Sequence, residues 1–161
     1  MKKFVFTLLL VFVCHLGYAQ GINGLFNEFG SEKNADCVKV SSFMMSLGKM
    51  FAGHDEDAKI IRKIKSIKVL DLESCTASVK ERFNKKVNKL NLKGYDELMR
   101  VNDEGEKVRV LMKTKKETIH ELLFVCTGKE DCTLVQINGK FTKDDIDKLV
   151  NQETGKKHGR R

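Results

Sequence analysis

Between Tyr95 and Asn138 four strand-like segments follow one another with no helical interval: Tyr95 to Val101, Glu106 to Thr114, Thr118 to Cys126 and Cys132 to Asn138. Loops this short suit hairpins between antiparallel neighbours, so the run predicts a meander. Asn102-Asp103-Glu104-Gly105 reads as the first turn. With Val101 opposite Glu106, Tyr95, Met99, Val108, Val110 and Met112 share one face, while Arg100, Lys107, Arg109 and Lys113 share the other. The third and fourth segments join through Thr127 to Asp131.

A further strand is expected from Ile67 to Leu72, which is apolar on both faces and suits the interior of a sheet. The helix after it places Val79, Phe83, Val87 and Leu90 on one side, with Ser78 and Glu81 as a capping box and Gly94 as a stop. An earlier helix opens at Ser41 or Ser42 and carries Phe43, Leu47, Met50 and Phe51. Asp57 can cap a brief turn bearing Ile60, Ile61 and Ile64. Thr142 and Asp145 box the start of a last helix with Ile146, Leu149 and Val150 facing inward. The fold class is α+β: two layers, a largely antiparallel sheet of about five strands, and helices packed on one face.

The first nineteen residues read as a signal peptide: Lys2 and Lys3, an apolar run from Phe4 to Cys14, and the small residues Gly17 and Ala19 before cleavage ahead of Gln20. That run is about eleven residues, short of the roughly 20 a membrane span needs. Lipidation at Cys14 is the rival reading, and Val13 before it argues against lipoprotein cleavage. Residues 20–40 are expected to form a weakly ordered arm, 41–151 a single domain, and 152–161 a disordered basic tail. Localisation is expected to be periplasmic or otherwise extracytoplasmic. The formal charge of +8 falls to +6 without Lys2 and Lys3. Its lysines and arginines are dispersed, which with export argues against nucleic acid and leaves peripheral contact with an anionic surface as the sharper use of Lys156, Lys157, Arg160 and Arg161.

Several chemistries find no anchor. The chain has no tryptophan and no proline. Sugar-stacking rings are therefore scarce, and no nucleophile elbow, phosphate loop or dinucleotide fingerprint occurs. No catalytic set, cofactor or metal is assigned. His54-Asp55-Glu56-Asp57 is better read as acid at a helix start than as a cation site. Four cysteines follow the signal peptide. In an oxidising compartment Cys126 with Cys132 and Cys37 with Cys75 are candidate disulfides, with buried free thiols as the alternative.

The run from Ile64 to Leu72, VKERFNKKVNKLNLKGYDELMRV (79–101), EGEKVRVLMKTKKETIHELL (104–123) and TLVQINGKFTKDDIDKLV (133–150) resemble small exported proteins of Bacteroidota grouped as domain-of-unknown-function family 4252. The resemblance implies an envelope location and, less directly, an association with extracytoplasmic stress signalling. It implies no activity.

The leading expectation is a non-enzymatic envelope protein that binds another protein. The helix with Phe43, Met44, Met45 and Leu47 carries more apolar surface than one stripe needs, and Met45 is the position expected outward. Two other classes stay open. One is a ligand carrier with Phe83, Met99 and Met112 around a cavity; the other is an enzyme built on Cys75, His120 and Glu121.

Overall fold

The computed structural model describes residues 21–51 and 56–148, with side-chain surroundings for 21–46 and 59–148. The elements run α1 (Ile22–Phe29), β1 (Asp36–Val40), α2 (Ser42–Phe51), α3 (Glu56–Lys63), β2 (Ile64–Asp71), α4 (Ala77–Asn88), β3 (Asp96–Asp103), β4 (Glu106–Lys115), β5 (Thr118–Thr127) and β6 (Thr133–Phe141). A final helical segment occupies 143–148. The strands make one antiparallel sheet in the order β1-β2-β6-β5-β4-β3. The α+β class and the four-strand meander are as expected. The strand count is six, because β1 adds to β2, which is thereby interior.

Residues 22–40 are not a weakly ordered arm. Ile22, Leu25, Phe26 and Phe29 recur at helical spacing and are all buried. The helix lacks any side-chain cap at Gly21, so local signals for it are weak and burial of its stripe holds it. Phe29 meets Phe83 edge-on with ring centroids 5.3 Å apart. Lys86 reaches Glu28 at 2.6 Å, and Arg82 pairs with Glu32. Gly30 lets the chain turn closely into β1, since a Cβ there would lie 2.4 Å from the Phe26 carbonyl oxygen.

Helices lie on both faces of the sheet instead of one. On the closed face, α1 and α4 bury Leu70, Leu111, Leu123, Val125 and Leu134. On the opposite face, Ile60 of α3 packs with Ile119, Leu122 and Phe141, joined at the margin by Ile64, Met112, Ile137 and Ile146. The terminal segment is held as expected by the box at Thr142: Asp145 accepts from the Thr142 N–H at 2.7 Å, and the Thr142 hydroxyl oxygen accepts from the Asp145 N–H at 3.3 Å. Lys63 donates to both Asp145 oxygens at 2.6 Å, pinning this segment to α3.

The turns are tighter than the sequence reading. Asp103 pairs with Glu106 across a two-residue loop in which Glu104 and Gly105 both have positive φ, and Lys115 with Thr118 across Lys116-Glu117 in the same conformation. Such loops match the twist of paired strands. A bulge between Glu97 and Met99 reverses the alternation of β3, sending Tyr95 to the closed face, away from Met99. Helix α4 starts after Thr76 without the Ser78 box and ends at Asn88, so Gly94, with φ of 89°, serves the turn into β3.

A candidate protein-binding surface

The register aligns one residue from every strand into a row on the face opposite α1 and α4: Val38, Val69, Val135, Phe124, Val110 and Met99. A second row on that face runs Asp36, Asp71, Thr133, Cys126, Val108 and Val101. The α3 cluster covers a third row, which includes Ile137 and Leu122. Among the described residues the rest of the face is partly open: Val110 is buried and Val69, Val135 and Val108 are half-buried, and the exposed positions lie mainly at its two edges. Val38 is 55% exposed, Met99 49% and Val101 46%, and Phe124 also meets solvent. Exposed apolar groups in register mark an interaction surface more than scattered ones do.

Its rim is acidic. Asp36 pairs with Asp71, and Asp103 with Glu106, at the end of the sheet where the second row ends. The Cys126 thiol in that row is pushed above its usual pKa by burial, then by the carboxylates of Glu106 and Asp131 and more weakly by other charges, including Asp71. At the far end a cleft of ≈ 460 Å³ is lined by Lys59, Ile60, Arg62, Lys63, Asp145 and Lys148. There burial raises the Asp145 carboxyl, but Lys63 and the Thr142 N–H and hydroxyl outweigh it and leave the pKa below the ordinary value.

Helix α2 lies against β2. Phe43 is 71% exposed and Met44 is also exposed, whereas Met45 is half-buried. The outward positions are therefore Phe43 and Met44 and not Met45. The side chain of Leu47 lies outside the described residues, as do His54 and Asp55.

Among the described residues Cys37, Cys75, Cys126 and Cys132 stand as free thiols. Cys126 pairs with Thr133, one residue from the expected partner, and a one-residue slip sends Cys132 to the closed face. Cys132 Sγ lies 3.2 Å from Asn84 Oδ1 and 3.4 Å from the Gly128 carbonyl oxygen. Cys75 donates to the Lys33 carbonyl at 3.5 Å.

The enzymatic trio is not assembled. Cys75 follows the Asp71 end of β2, whereas Glu121 pairs with Asn138, beside Ser66 near the other end. At ~3.3 Å per residue these ends are roughly 16 Å apart. Burial first, then Glu32, raises the Cys75 pKa, and a thiol so held is a weak nucleophile. Glu121 accepts from Tyr95 at 2.6 Å and from Gln136 at 2.7 Å. Burial and that bond push the Tyr95 phenol up. No shared cavity joins the proposed carrier residues: Phe83 is on the closed face, while Met99 and Met112 are on the other. Among the described residues no three His, Cys, Asp or Glu converge as metal ligands, and no described helix is long and apolar enough to cross a membrane.

The family described as domain of unknown function 4252 matches residues 29–149. The chain belongs to that family. No curated protein and no solved structure shows a significant match. The match takes in β1 through the terminal segment, and so both open rows of this family member's sheet.

Sequence reading missed Val38, Phe124 and Val101 as surface groups. The signal was Leu122-Leu123-Phe124-Val125, apolar at four successive positions, which shows that both faces of β5 carry apolar residues. Which half of which face the helices cover depends on tertiary placement.

Proposed function

We propose that this is an exported, non-enzymatic envelope protein that binds another protein through the open sheet face. The observation that carries the reading is the register-aligned row ending in Met99 and Val38, exposed to solvent beside Phe124 and Val101. Exposed Phe43 and Met44 on α2 offer a second apolar contact. Large aromatic and methionine side chains with adaptable shape suit the centre of such an interface. An interface of ordinary size would bury roughly 800 Å² on each partner.

The test is site-specific photo-crosslinking in the envelope of the host. A photoreactive phenylalanine analogue at position 124 should capture one partner, and the same analogue at exposed Lys85 on α4 should not. Adding Val101→Glu to the 124 probe should abolish capture while the circular dichroism of the protein is unchanged. Equal capture from positions 124 and 85, or indifference to Val101→Glu, would reject the surface. Phe43→Glu in the same assay decides whether α2 takes part.

A further inference from the structure

Strand β3 is the last of the sheet and pairs only with β4 among the described residues, and all eight of its residues are exposed. Its outward N–H and C=O groups have no neighbouring strand. The other edge, β1, has five residues and carries Lys39; short, lysine-bearing edges discourage pairing. Past the bulge at Leu98, β3 is regular from Met99 to Asp103. Met99 and Val101 are also where the two open apolar rows end.

The charge of this edge runs against that of the chain. On β3 itself Asp96, Glu97 and Asp103 oppose Arg100 alone and the turn adds Glu104, in a protein of formal charge +8, while the paired strand β4 carries Glu106 with Lys107, Arg109, Lys113 and Lys115. Glu97 is already held by Arg100 and Arg109, both at 2.7 Å. Asp96 and Asp103 make no ion pair among the described residues and remain at the two ends of the strand.

We infer that β3 accepts an extended segment of a partner protein as a seventh strand, apolar where it meets Met99 and Val101 and carrying lysine or arginine at its ends. The inference rests on the reading of the open face as protein-binding and specifies how that partner docks. Main-chain hydrogen bonds supply the pairing and alternate side chains the selectivity. A second copy of this chain fits less well. Antiparallel self-pairing that sets Met99 opposite the second copy's Val101 also sets Asp103 opposite the second copy's Glu97 and the two Arg100 side chains opposite each other. Like charges facing across strands are destabilising, and basic ends convert that repulsion into attraction.

The probe is a short peptide of alternating valine and threonine with paired lysines at both ends, titrated against the full mature chain by fluorescence anisotropy. It should bind, with amide shifts and slowed exchange confined to Met99 through Asp103 in NMR spectra. A glutamate-ended version should bind about fivefold more weakly, and the double variant D96K/D103K should reverse that order. N-methylation along the pairing edge of the peptide should abolish binding. Equal binding by the N-methylated peptide, or no difference between lysine and glutamate ends, overturns the inference. So does a dimer of the chain alone, in sedimentation velocity, that Val101→Lys dissociates. If the peptide fails while crosslinking from position 124 still captures a partner sensitive to Val101→Glu, only the edge docking falls. If that crosslinking fails too, the surface reading falls with it.

Discussion

The two faces of this sheet are built from the same six strands and differ in what lies on them. The closed face carries α1 and α4, with Phe29 against Phe83, the ion pair of Lys86 with Glu28 joining the two helices, and that of Arg82 with Glu32 tying α4 to the turn after α1. The other face receives α3 and the terminal segment over Ile119, Leu122 and Phe141, and beyond them it leaves Val38, Val101, Met99 and Phe124 toward water. Apolar area left in water forfeits about 25 cal/mol per Å². Alternation therefore tells which residues share a face, while the helices that come to rest there decide which of those residues are buried in the fold and which meet solvent.

The largest expected difference comes from making one change on both faces. Phe83 is 0% exposed and Phe124 36%. Phe83→Ala should cost about 3–5 kcal/mol, the range for a buried ring, while Phe124→Ala should cost about 1–2 kcal/mol, since part of its ring already meets water. Guanidinium unfolding of the two variants measures both. Similar losses would mean that the second face is as closed as the first, and the contrast would be gone.

A smaller effect tests the covered half of the second face. A Cβ at Gly139 would sit 2.5 Å from the Phe141 ring and 2.7 Å from the Lys63 carbonyl oxygen. Gly139→Ala should therefore cost roughly 1–3 kcal/mol, the usual toll of overpacking. A neutral result in thermal melts would show that α3 yields easily at that point.

Asp145 probes the same joint through pH. Its folded pKa lies below the ordinary 3.8, so its contribution is fully present above that value and is lost as pH falls through the lower, folded one. Asp145→Ala should cost about 1 kcal/mol at neutral pH, mainly by removing the cap, since Lys63 is partly exposed and its ion pair is screened. As the pH falls well below the ordinary 3.8 the variant and the parent should converge, which urea titrations at neutral pH and at that acid pH would show. A constant gap at all pH values would mean that the carboxylate charge is not what holds the terminal segment.

The elements that were legible in the sequence are those whose signals are local. Thr142 with Asp145 marks the terminal helix, and the alternation in Glu106 to Thr114 marks β4. Helix α1 was not legible. Its Ile22, Leu25, Phe26 and Phe29 have the right spacing, but the glycines around them and the missing cap make it a poor helix in isolation. The paired cysteines failed for a different reason. Loop residues 128–131 do not reveal whether Cys126 faces residue 132 or 133, and that single step decides which face Cys132 occupies. The proposed surface was half legible: the helix with Phe43, Met44, Met45 and Leu47 was read as carrying surplus apolar groups, with Met45 expected outward where Phe43 and Met44 are, while the sheet rows emerge only once six strands are in register.

The smallest stability effect belongs to the edge of the open face, and it is the most informative about what that face is for. Val101→Thr keeps β-branching and strand propensity while replacing a methyl by a hydroxyl at a position 46% exposed. Stability should change by no more than about 0.5 kcal/mol. Retention on an apolar interaction column should nonetheless fall, and fall further with Met99→Ser added. The same replacement at Val125, buried on the closed face, would put an unpaired hydroxyl into the core at a cost of roughly 1–3 kcal/mol. If Val101→Thr proved comparably damaging, β3 would be held by something that covers it, and the surface would have to be sought on α2 instead.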